Sequence, residues 1–377
     1  MGRETFTREA FREVEREVKT KGRGTASFAG EQRQREGKGL DPLVDPKEYG
    51  MVRRSLTRTE KGDSGFVATM PLAMLNEVRF DTTSSMGDNV DLAFGSLPKL
   101  YDLLTTGERP VLARYDTQII TGVFNDWEEN PVFTRSQAEM GKKIAEQMTL
   151  HMPVRRGGDT PEDGHYGIFA GAFLTYSHAQ EFGLKSYDFT VTDAPGRHAI
   201  EEAVLRKIFG DLDELFGKIR ENGHQVTKSD KLSTADAVEQ LLKRAHGFVL
   251  QVGSAGETNR FWNGIYGRER VVVLPDASLL SEAQAAIIGL TEGVLNLQTL
   301  GDYLKKVAQL SSGEAEIIRR AVAGIPIGLQ MKQKNFSRVF KAGAKFKKKG
   351  DVFPIGFDEE SSGKPASPGK PGKVKWV

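Results

Sequence analysis

The chain has 377 residues, a formal net charge of +2 at pH 7 and no cysteine. The small net charge argues against a protein whose whole surface is built for nucleic acid. The lack of cysteine excludes disulfide bonds and thiolate metal sites. The N-terminal residues lack the apolar core of a secretory signal, and no apolar run approaches the about 20 residues of a membrane helix. We therefore expect a cytoplasmic protein without a membrane partner.

Polar residues dominate 1–62, which we expect to form an N-terminal arm with a short helix. Apolar residues recur at helical spacing within 6–18, and this pattern predicts the helix. Residues 19–49 contain few large apolar side chains and many Gly, Gln and Arg. We interpret them as an extended segment, either disordered or laid over a partner.

Strand-like and helix-like patterns alternate through 63–330. The alternation predicts an α/β domain with a mostly parallel central sheet and helices on both faces. Residues 253–267 are glycine-spaced and aromatic, and we expect a long loop there. Strands are predicted at 73–80, 111–124, 188–192, 247–252 and 270–275, and helices at 89–104, 137–150, 166–180, 200–209, 235–244 and 281–307.

A basic segment follows the predicted domain. Residues 331–377 lose the apolar periodicity and are expected to be a basic, largely flexible tail. Phenylalanines interleave with the basic residues, which is typical of contact with nucleic acid or an acidic partner. A solvated tail is the equally weighted alternative. The basic residues are Lys332, Lys334, Arg338, Lys341, Lys345, Lys347, Lys348 and Lys349.

Oxygen-bearing side chains follow the first strand of the predicted domain. Asp81 ends this strand, and Thr83 and Ser85 follow at alternate positions. Hard cations such as Mg²⁺ prefer oxygen ligands and usually retain some of their waters. One carboxylate and two hydroxyls supply such ligands without filling the coordination sphere. A helix cap is the other interpretation of these residues.

Two further segments have a similar character. Residues 157–163 combine a glycine pair with a hydroxyl and several carboxylates before a predicted helix. A strand-like run ends at Asp193, which a proline turn follows. Each segment alone is typical of a cap or turn. Because ligands of open α/β sheets bind at the carboxyl ends of strands, the three segments together favour one site at that edge.

The run Asp81-Thr-Thr-Ser-Ser-Met-Gly resembles the first loop of the metal-ion-dependent adhesion site (MIDAS) of von Willebrand factor A (VWA) domains, in their intracellular bacterial or phage form. That loop reads Asp-x-Ser/Thr-x-Ser. Residues 157–163 are similar to the second MIDAS loop and 192–195 to the third. The likeness covers about 73–310 by the order of elements. It implies a Rossmann-like VWA fold with Mg²⁺ or Mn²⁺ at the sheet edge.

The resemblance also implies which residues hold the cation. In the second loop, Asp159 and Thr160 compete for the ligand position, and we prefer Thr160. Ser84 departs from the family pattern, because glycine is usual there. In the family, an acidic side chain of a partner completes the metal shell. The metal-ligating residues implied are Asp81, Thr83, Ser85, Thr160 and Asp193.

The resemblance therefore implies a metal-dependent protein–protein interaction module, a scaffold or adaptor in a larger cytoplasmic assembly. Its implied partners are an ATPase or a multi-subunit complex. One alternative is a Mg²⁺-dependent enzyme of phosphoryl or phosphodiester chemistry. The other is a structural component that binds nucleic acid through the basic tail. The sequence shows no nucleotide-binding glycine loop and no catalytic constellation. Such an enzyme would need further carboxylates or a base near Asp81. By position, the only candidates are Asp88, Asp159, Glu162 and Asp163.

Overall fold

The computed structural model describes residues 7–21, 28–48, 52–57, 59–62, 65–68, 72–157, 160–254, 256–333, 345–346 and 354–355. Within these ranges, no helix is both long and apolar enough to cross a membrane. Of the eight basic tail residues, only Lys332 and Lys345 belong to these ranges, and the Lys332 side chain is exposed. The predicted nucleic-acid contact therefore lies mostly outside the described residues.

Twelve α-helices and twelve strands belong to the described part of the chain. The helices are α1 (Arg8–Lys21), α2 (Ala29–Arg35), α3 (Asn89–Tyr101), α4 (Lys142–Met148), α5 (His165–Phe173), α6 (Glu202–Phe209), α7 (Leu212–Glu221), α8 (Thr234–Arg244), α9 (Gly256–Tyr266), α10 (Leu280–Glu292), α11 (Leu297–Lys306) and α12 (Ser312–Ala321). The strands are β1 (Arg53–Ser55), β2 (Thr59–Gly62), β3 (Gly65–Ala68), β4 (Ala73–Asp81), β5 (Asp116–Phe124), β6 (Phe133–Arg135), β7 (Thr175–Ser177), β8 (Ser186–Thr192), β9 (Ala245–Val252), β10 (Val271–Leu274), β11 (Lys345–Phe346) and β12 (Pro354–Ile355).

Six of these strands form a mostly parallel central sheet in the order β10-β9-β8-β4-β5-β6. Only the edge strand β6 runs antiparallel to its neighbour. The chain leaves β4 toward β5 and β6, and later returns to the other side of β4 through β8. Numbered along the chain, this is the order 3-2-1-4-5-6 of doubly wound folds. The topological switch point therefore lies between β4 and β8.

Helices cover both faces of the sheet, which confirms the predicted α/β fold class. Successive residues of β4 point to opposite faces. On one face, Val78 and Phe80 join the core that α3 and α10 complete. On the other face, α5, α6 and α8 pack over the sheet around a second core that includes Phe124 and Val249. Because both faces are covered, all nine residues of β4 are buried.

The second face of β4 also carries two buried ion pairs. The guanidinium group of Arg79 binds both carboxylate oxygens of Asp188 on β8. Glu77 accepts hydrogen bonds from Arg135 on β6, with distances of 2.9 and 2.7 Å. Burial opposes ionisation of Glu77, but the charges of Arg135 and Arg79 hold its pKa below the ordinary value. The pairs therefore connect three strands through charges that have partners inside the protein.

Two glycines of α5 make room for this ion network. A Cβ atom on Gly171 would lie 2.7 Å from Nη2 of Arg79 and 2.8 Å from Oδ2 of Asp188. A Cβ atom on Gly167 would lie 2.5 Å from Cδ of Arg79. The helix can therefore approach the sheet closely only because these positions lack side chains.

The N-terminal segment differs from the prediction. Helix α1 agrees with the helix expected at 6–18, but residues 28–48 are not an extended arm. Helix α2 follows Phe28, which is buried, and Val44 is also buried. Backbone hydrogen bonds join Gly30 to Thr149 and Arg135 to Val44. Sparse apolar residues suffice here because each is placed where it contacts the domain.

One loop prediction and two helix predictions also need correction. Residues 256–266 form α9 rather than part of a long loop, because Thr258, Trp262 and Tyr266 bury one helical face. The helix predicted at 166–180 ends at Phe173, and β7 follows. The long helix predicted at 281–307 is two helices, because Gly293 adopts a left-handed conformation with φ of 71° and Asn296 caps α11.

We predict that Gly171→Ala destabilises the protein by about 1–3 kcal/mol, because the added methyl group would overlap the Arg79–Asp188 pair. Urea unfolding of the full chain measures this change in the free energy of unfolding. Gly217→Ala on α7 is the matched control, because no atom lies within 4 Å of its added Cβ. The control should be neutral or stabilising by up to about 1 kcal/mol. Equal effects of the two substitutions would contradict the packing argument.

Candidate metal centre at the switch point of the sheet

Asp81 occupies the carboxyl end of β4 beside the switch point, as predicted. Its side chain is fully buried. Oδ1 accepts hydrogen bonds from the Thr83 backbone nitrogen at 3.0 Å and the Thr83 hydroxyl at 2.7 Å. Oδ2 accepts a hydrogen bond from the Thr192 hydroxyl at 2.7 Å. Both carboxylate oxygens are thereby held in place, one by the loop that follows β4 and the other by β8.

The hydroxyls of the first loop continue this network to the third loop. Thr83 Oγ1 and Ser85 Oγ lie 3.1 Å apart. Ser85 Oγ donates to Oδ1 of Asp193, which follows β8, at 3.0 Å. Four of the five residues implied by the resemblance thus form one hydrogen-bonded chain: Asp81, Thr83, Ser85 and Asp193. The chain runs from the buried Asp81 to the exposed Ser85 and the half-buried Asp193.

The two hydroxyl oxygens of the first loop lie close together. Each is within hydrogen-bond distance of a carboxylate, Thr83 of Asp81 and Ser85 of Asp193. The two oxygens are 3.1 Å apart, and either hydroxyl can donate to the other. Ligands at 2.0–2.1 Å in adjacent octahedral positions lie about 2.9 Å apart. The spacing of the two oxygens is therefore suited to neighbouring ligands of one small cation.

Within the described part of the second loop, the exposure of the candidate side chains differs. Thr160 is exposed, and no hydrogen bond among the described residues joins it to the first loop. Asp159 lies outside the described residues. Glu162, in contrast, is 4 % exposed, and its backbone nitrogen donates to the Pro195 carbonyl at 2.8 Å. This bond ties the second loop to the third.

The Glu162 carboxyl group interacts with the first loop. Burial, the negative charge of Asp81, and both a hydrogen bond with Asp126 and the negative charge of Asp126 raise the pKa of Glu162 to about 10. A hydrogen bond with the Thr83 hydroxyl opposes this shift. Its Oε2 atom is buried and has no hydrogen-bond partner in the described part of the chain. An unpaired carboxyl oxygen inside a protein is costly. A cation beside it would satisfy this oxygen.

The other acids at this edge are also shifted toward their neutral forms. Burial raises the pKa of Asp81 to about 7, although its hydrogen bonds from Thr83 and Thr192 oppose this. Burial also raises the pKa of Asp193, against the hydrogen bond from Ser85. Carboxyl groups that resist ionisation together are groups that a bound cation would stabilise as anions.

The donor set suits a hard cation but depends on hydroxyl oxygens. Within the ranges that the structure covers, no group of three or more histidine or acidic side chains is arranged to bind a metal ion. A cation at this edge would therefore need Thr83 and Ser85 as well as carboxylates. All of these donors are oxygens, as Mg²⁺ and Mn²⁺ prefer. The donor atoms are therefore of the type that a hard cation prefers, and the cation itself stays a prediction.

Neighbouring segments hold the three loops in position. Ser84, where the family usually has glycine, donates from its hydroxyl to the Gly157 carbonyl at 2.7 Å and ties the first loop to the second. On α9, the Thr258 hydroxyl donates to the Asp193 carbonyl at 3.0 Å. Trp262 Nε1 donates to the Ala194 carbonyl, also at 3.0 Å. The loops are therefore held in position by a contact between the first two loops and by α9.

The acidic residues that an enzyme would need differ in burial and in their hydrogen-bond partners. Asp88 is exposed before α3. Asp163 is buried, but it accepts hydrogen bonds from the Trp127 backbone nitrogen at 2.7 Å and Arg197 Nε at 3.2 Å. These bonds give Asp163 a structural role. Glu162 alone of the described candidates interacts with Asp81.

Sequence reasoning missed Thr192 and Asp126. Thr192 directly precedes Asp193, and a hydroxyl at the end of a strand could have indicated it. Asp126 follows β5, whose carboxyl end adjoins that of β4. An acidic residue two positions after this strand could have indicated Asp126.

Comparisons with known proteins do not assign a family. No family model matches the chain, and no curated protein matches it significantly. Among solved structures, the chain is similar to the pilus adhesin SpaC from Lactobacillus rhamnosus GG, with 9% sequence identity and a TM-score of 0.33. The match covers 59% of this chain and 31% of the adhesin, so the chain spans about a third of that protein. A likeness at this level carries no argument about function.

The raised pKa of Asp81 predicts a pH-dependent effect of Asp81→Asn in chelator-treated protein. Because the folded protein holds the Asp81 proton more tightly, the stability that this group contributes is complete below about pH 4 and is lost as the pH rises to about 7. The Asn variant cannot ionise. The free energy of unfolding of the Asn variant, relative to that of the wild type, should therefore rise across this window by about 1–3 kcal/mol.

Urea unfolding between pH 4.5 and 7.5 measures this difference. Asp236→Asn is the control, because hydrogen bonds from Ser233 lower the pKa of Asp236. Its stabilising contribution is lost only as the pH falls below this window, so the control effect should stay constant within it. A constant difference for Asp81→Asn as well would contradict the assigned shift.

Proposed function

We propose that this protein is a metal-dependent protein–protein interaction module of the VWA type, which serves as a scaffold or adaptor in a larger cytoplasmic assembly. The observation that carries the proposal is the hydrogen-bonded chain Asp81–Thr83–Ser85–Asp193 at the switch point. Open α/β sheets bind their ligands at this position. The order of the three loops along the chain agrees with the family that the sequence resembles.

Mg²⁺ or Mn²⁺ is the proposed cation, and when bound it supplies an electrophilic centre that attracts an acidic side chain of a partner. Thr83 and Ser85 would be neutral ligands, and their hydroxyl groups lie within hydrogen-bond distance of Asp81 and Asp193. Neutral ligands leave more of the positive charge available to an incoming carboxylate. Ser85 is exposed, so this end of the site is accessible to a partner.

The supporting residues act as a rigid frame. Thr192 fixes Asp81 from the neighbouring strand, and Ser84 fixes the first loop against the second. Sites held by packed elements lose little free energy on ordering when they bind. A frame of this kind favours reversible attachment to a partner. An ATPase or a multi-subunit complex is the partner that we propose on the resemblance alone.

We predict that the full chain binds Mn²⁺ and Mg²⁺ in titration calorimetry and that Asp81→Ala weakens this binding by at least about a hundredfold. The reason is that Asp81 is a buried carboxylate on which the hydroxyl network depends. Asp302→Ala on α11 is the control, since this carboxylate is exposed and pairs with Lys306 at 3.1 Å, away from the candidate site. The control should bind both ions as the wild type does.

The partner is tested with the same variants. The tagged full chain, purified from the cells that produce it, should retain a specific partner that EDTA releases. Asp81→Ala should lose this partner, and Asp302→Ala should keep it. A partner that stays bound in EDTA and to Asp81→Ala would refute the adhesion-site proposal. Hydrolysis of phosphate esters that requires Asp81 would instead favour the enzyme alternative.

A further inference from the structure

A cleft of about 280 Å³ lies between the N-terminal segment and the α/β domain, and none of the candidate cation ligands lines it. Its walls come from residues within 34–47, from 130–133 and from α6. The buried side chains of Val132, Phe133 and Ile208 are part of its apolar lining. Typical ligand sites have volumes of about 300–1,000 Å³, so this cleft suits a small ligand.

Several carbonyl oxygens of the cleft lining already accept hydrogen bonds from side chains of the protein. Arg33 donates to two of them, both at 3.2 Å, and Arg53 Nη2 donates to a third at 3.0 Å. Asn125 Nδ2 donates to a fourth at 2.8 Å. These carbonyl groups belong to Gly39, Leu40, Asp45 and Pro131. Because these acceptors are occupied, charged donors are the main polar groups that remain for a ligand.

The charges of the lining are mostly positive. Lys38, Lys47 and Lys207 line the cleft, against the single carboxylate of Asp45. Lys38 is paired with Glu36 at 2.7 Å. Within the described ranges, no acidic side chain forms an ion pair with Lys47 or Lys207. The cleft therefore contains two ammonium groups whose charges are not compensated by a direct contact.

These two ammonium groups lie on the same side of the cleft. Lys207 on α6 is held by two carbonyl oxygens, of Trp127 at 2.7 Å and of Glu128 at 3.3 Å. An ammonium group has three donors, so one N–H of Lys207 remains for a ligand. Cγ of Lys47 lies 3.8 Å from the position of a Cβ atom on Gly210, which directly follows α6. Both lysines therefore approach the cleft near the C-terminal end of this helix.

We propose that this cleft binds a small phosphate monoester, with its phosphate group between Lys47 and Lys207 and its apolar part against Val132 and Ile208. A phosphate monoester carries about −1.5 to −2 charges at pH 7 and three strong acceptor oxygens. This charge matches the two uncompensated ammonium groups, and lysine is a common phosphate ligand in proteins. The proposal does not depend on the cation site or on the proposed function.

Titration calorimetry of the full chain with phenyl phosphate, in buffer free of divalent cations, tests this proposal. We expect Lys47→Gln and Lys207→Gln each to weaken binding by at least about tenfold, because each removes a charged hydrogen-bond donor. Benzoate has the same ring but a single negative charge, and it should bind at least about tenfold more weakly than phenyl phosphate. Lys243→Gln on α8 is the control, because this exposed lysine pairs with Glu239 at 2.9 Å outside the cleft. It should bind phenyl phosphate as the wild type does.

Each other outcome overturns the proposal. A wild-type protein that binds no phenyl phosphate has no such site, and equal weakening by Lys243→Gln would indicate unspecific attraction to surface charge. Benzoate that binds as tightly as phenyl phosphate would contradict the phosphate specificity. Asp81→Ala should leave phenyl phosphate binding unchanged, and a loss would place the anion at the switch point instead. If the two cleft variants lose stability in urea but bind as the wild type does, their lysines only stabilise the end of α6.

Discussion

The buried pair of Arg79 and Asp188 is the interaction on which the arrangement of the site depends. It joins β4 to β8 across the topological switch point, inside a face of the sheet that α5 covers. Loss of one partner would leave an uncompensated buried charge, at a cost of about 3–5 kcal/mol. A shift of β8 along β4 would separate the two charges. The pair therefore specifies the register that brings Thr192 beside Asp81.

The general fold and the first loop could be predicted from the sequence because they depend on local patterns. The run that ends at Asp81 is buried on both faces, and a parallel sheet places its carboxyl end beside that of β8. The burial of Glu162 in the second loop, where Thr160 is exposed, could not be predicted. It depends on a backbone hydrogen bond to Pro195, which is distant in sequence. A pattern of residue types contains no information about such a contact.

Local composition also misled where tertiary packing supplies the stabilisation. Residues 256–266 contain glycine and asparagine, yet they form a helix because Trp262 and Tyr266 fill the second core. Residues 28–48 are mostly polar, and the burial of Phe28 and Val44 orders them against the domain. A few well-placed apolar side chains can outweigh low propensity, since most helix stability in proteins comes from packing.

The two hydrogen bonds from α9 to the third loop have a consequence for how this loop can vary. Thr258 and Trp262 bind backbone carbonyls, of Asp193 and Ala194, and every amino acid has such a carbonyl. These two bonds therefore do not depend on the side chains of the third loop, but they require the hydroxyl of Thr258 and the indole nitrogen of Trp262. The position of Asp193 is therefore stabilised by a helix that carries none of the candidate ligands.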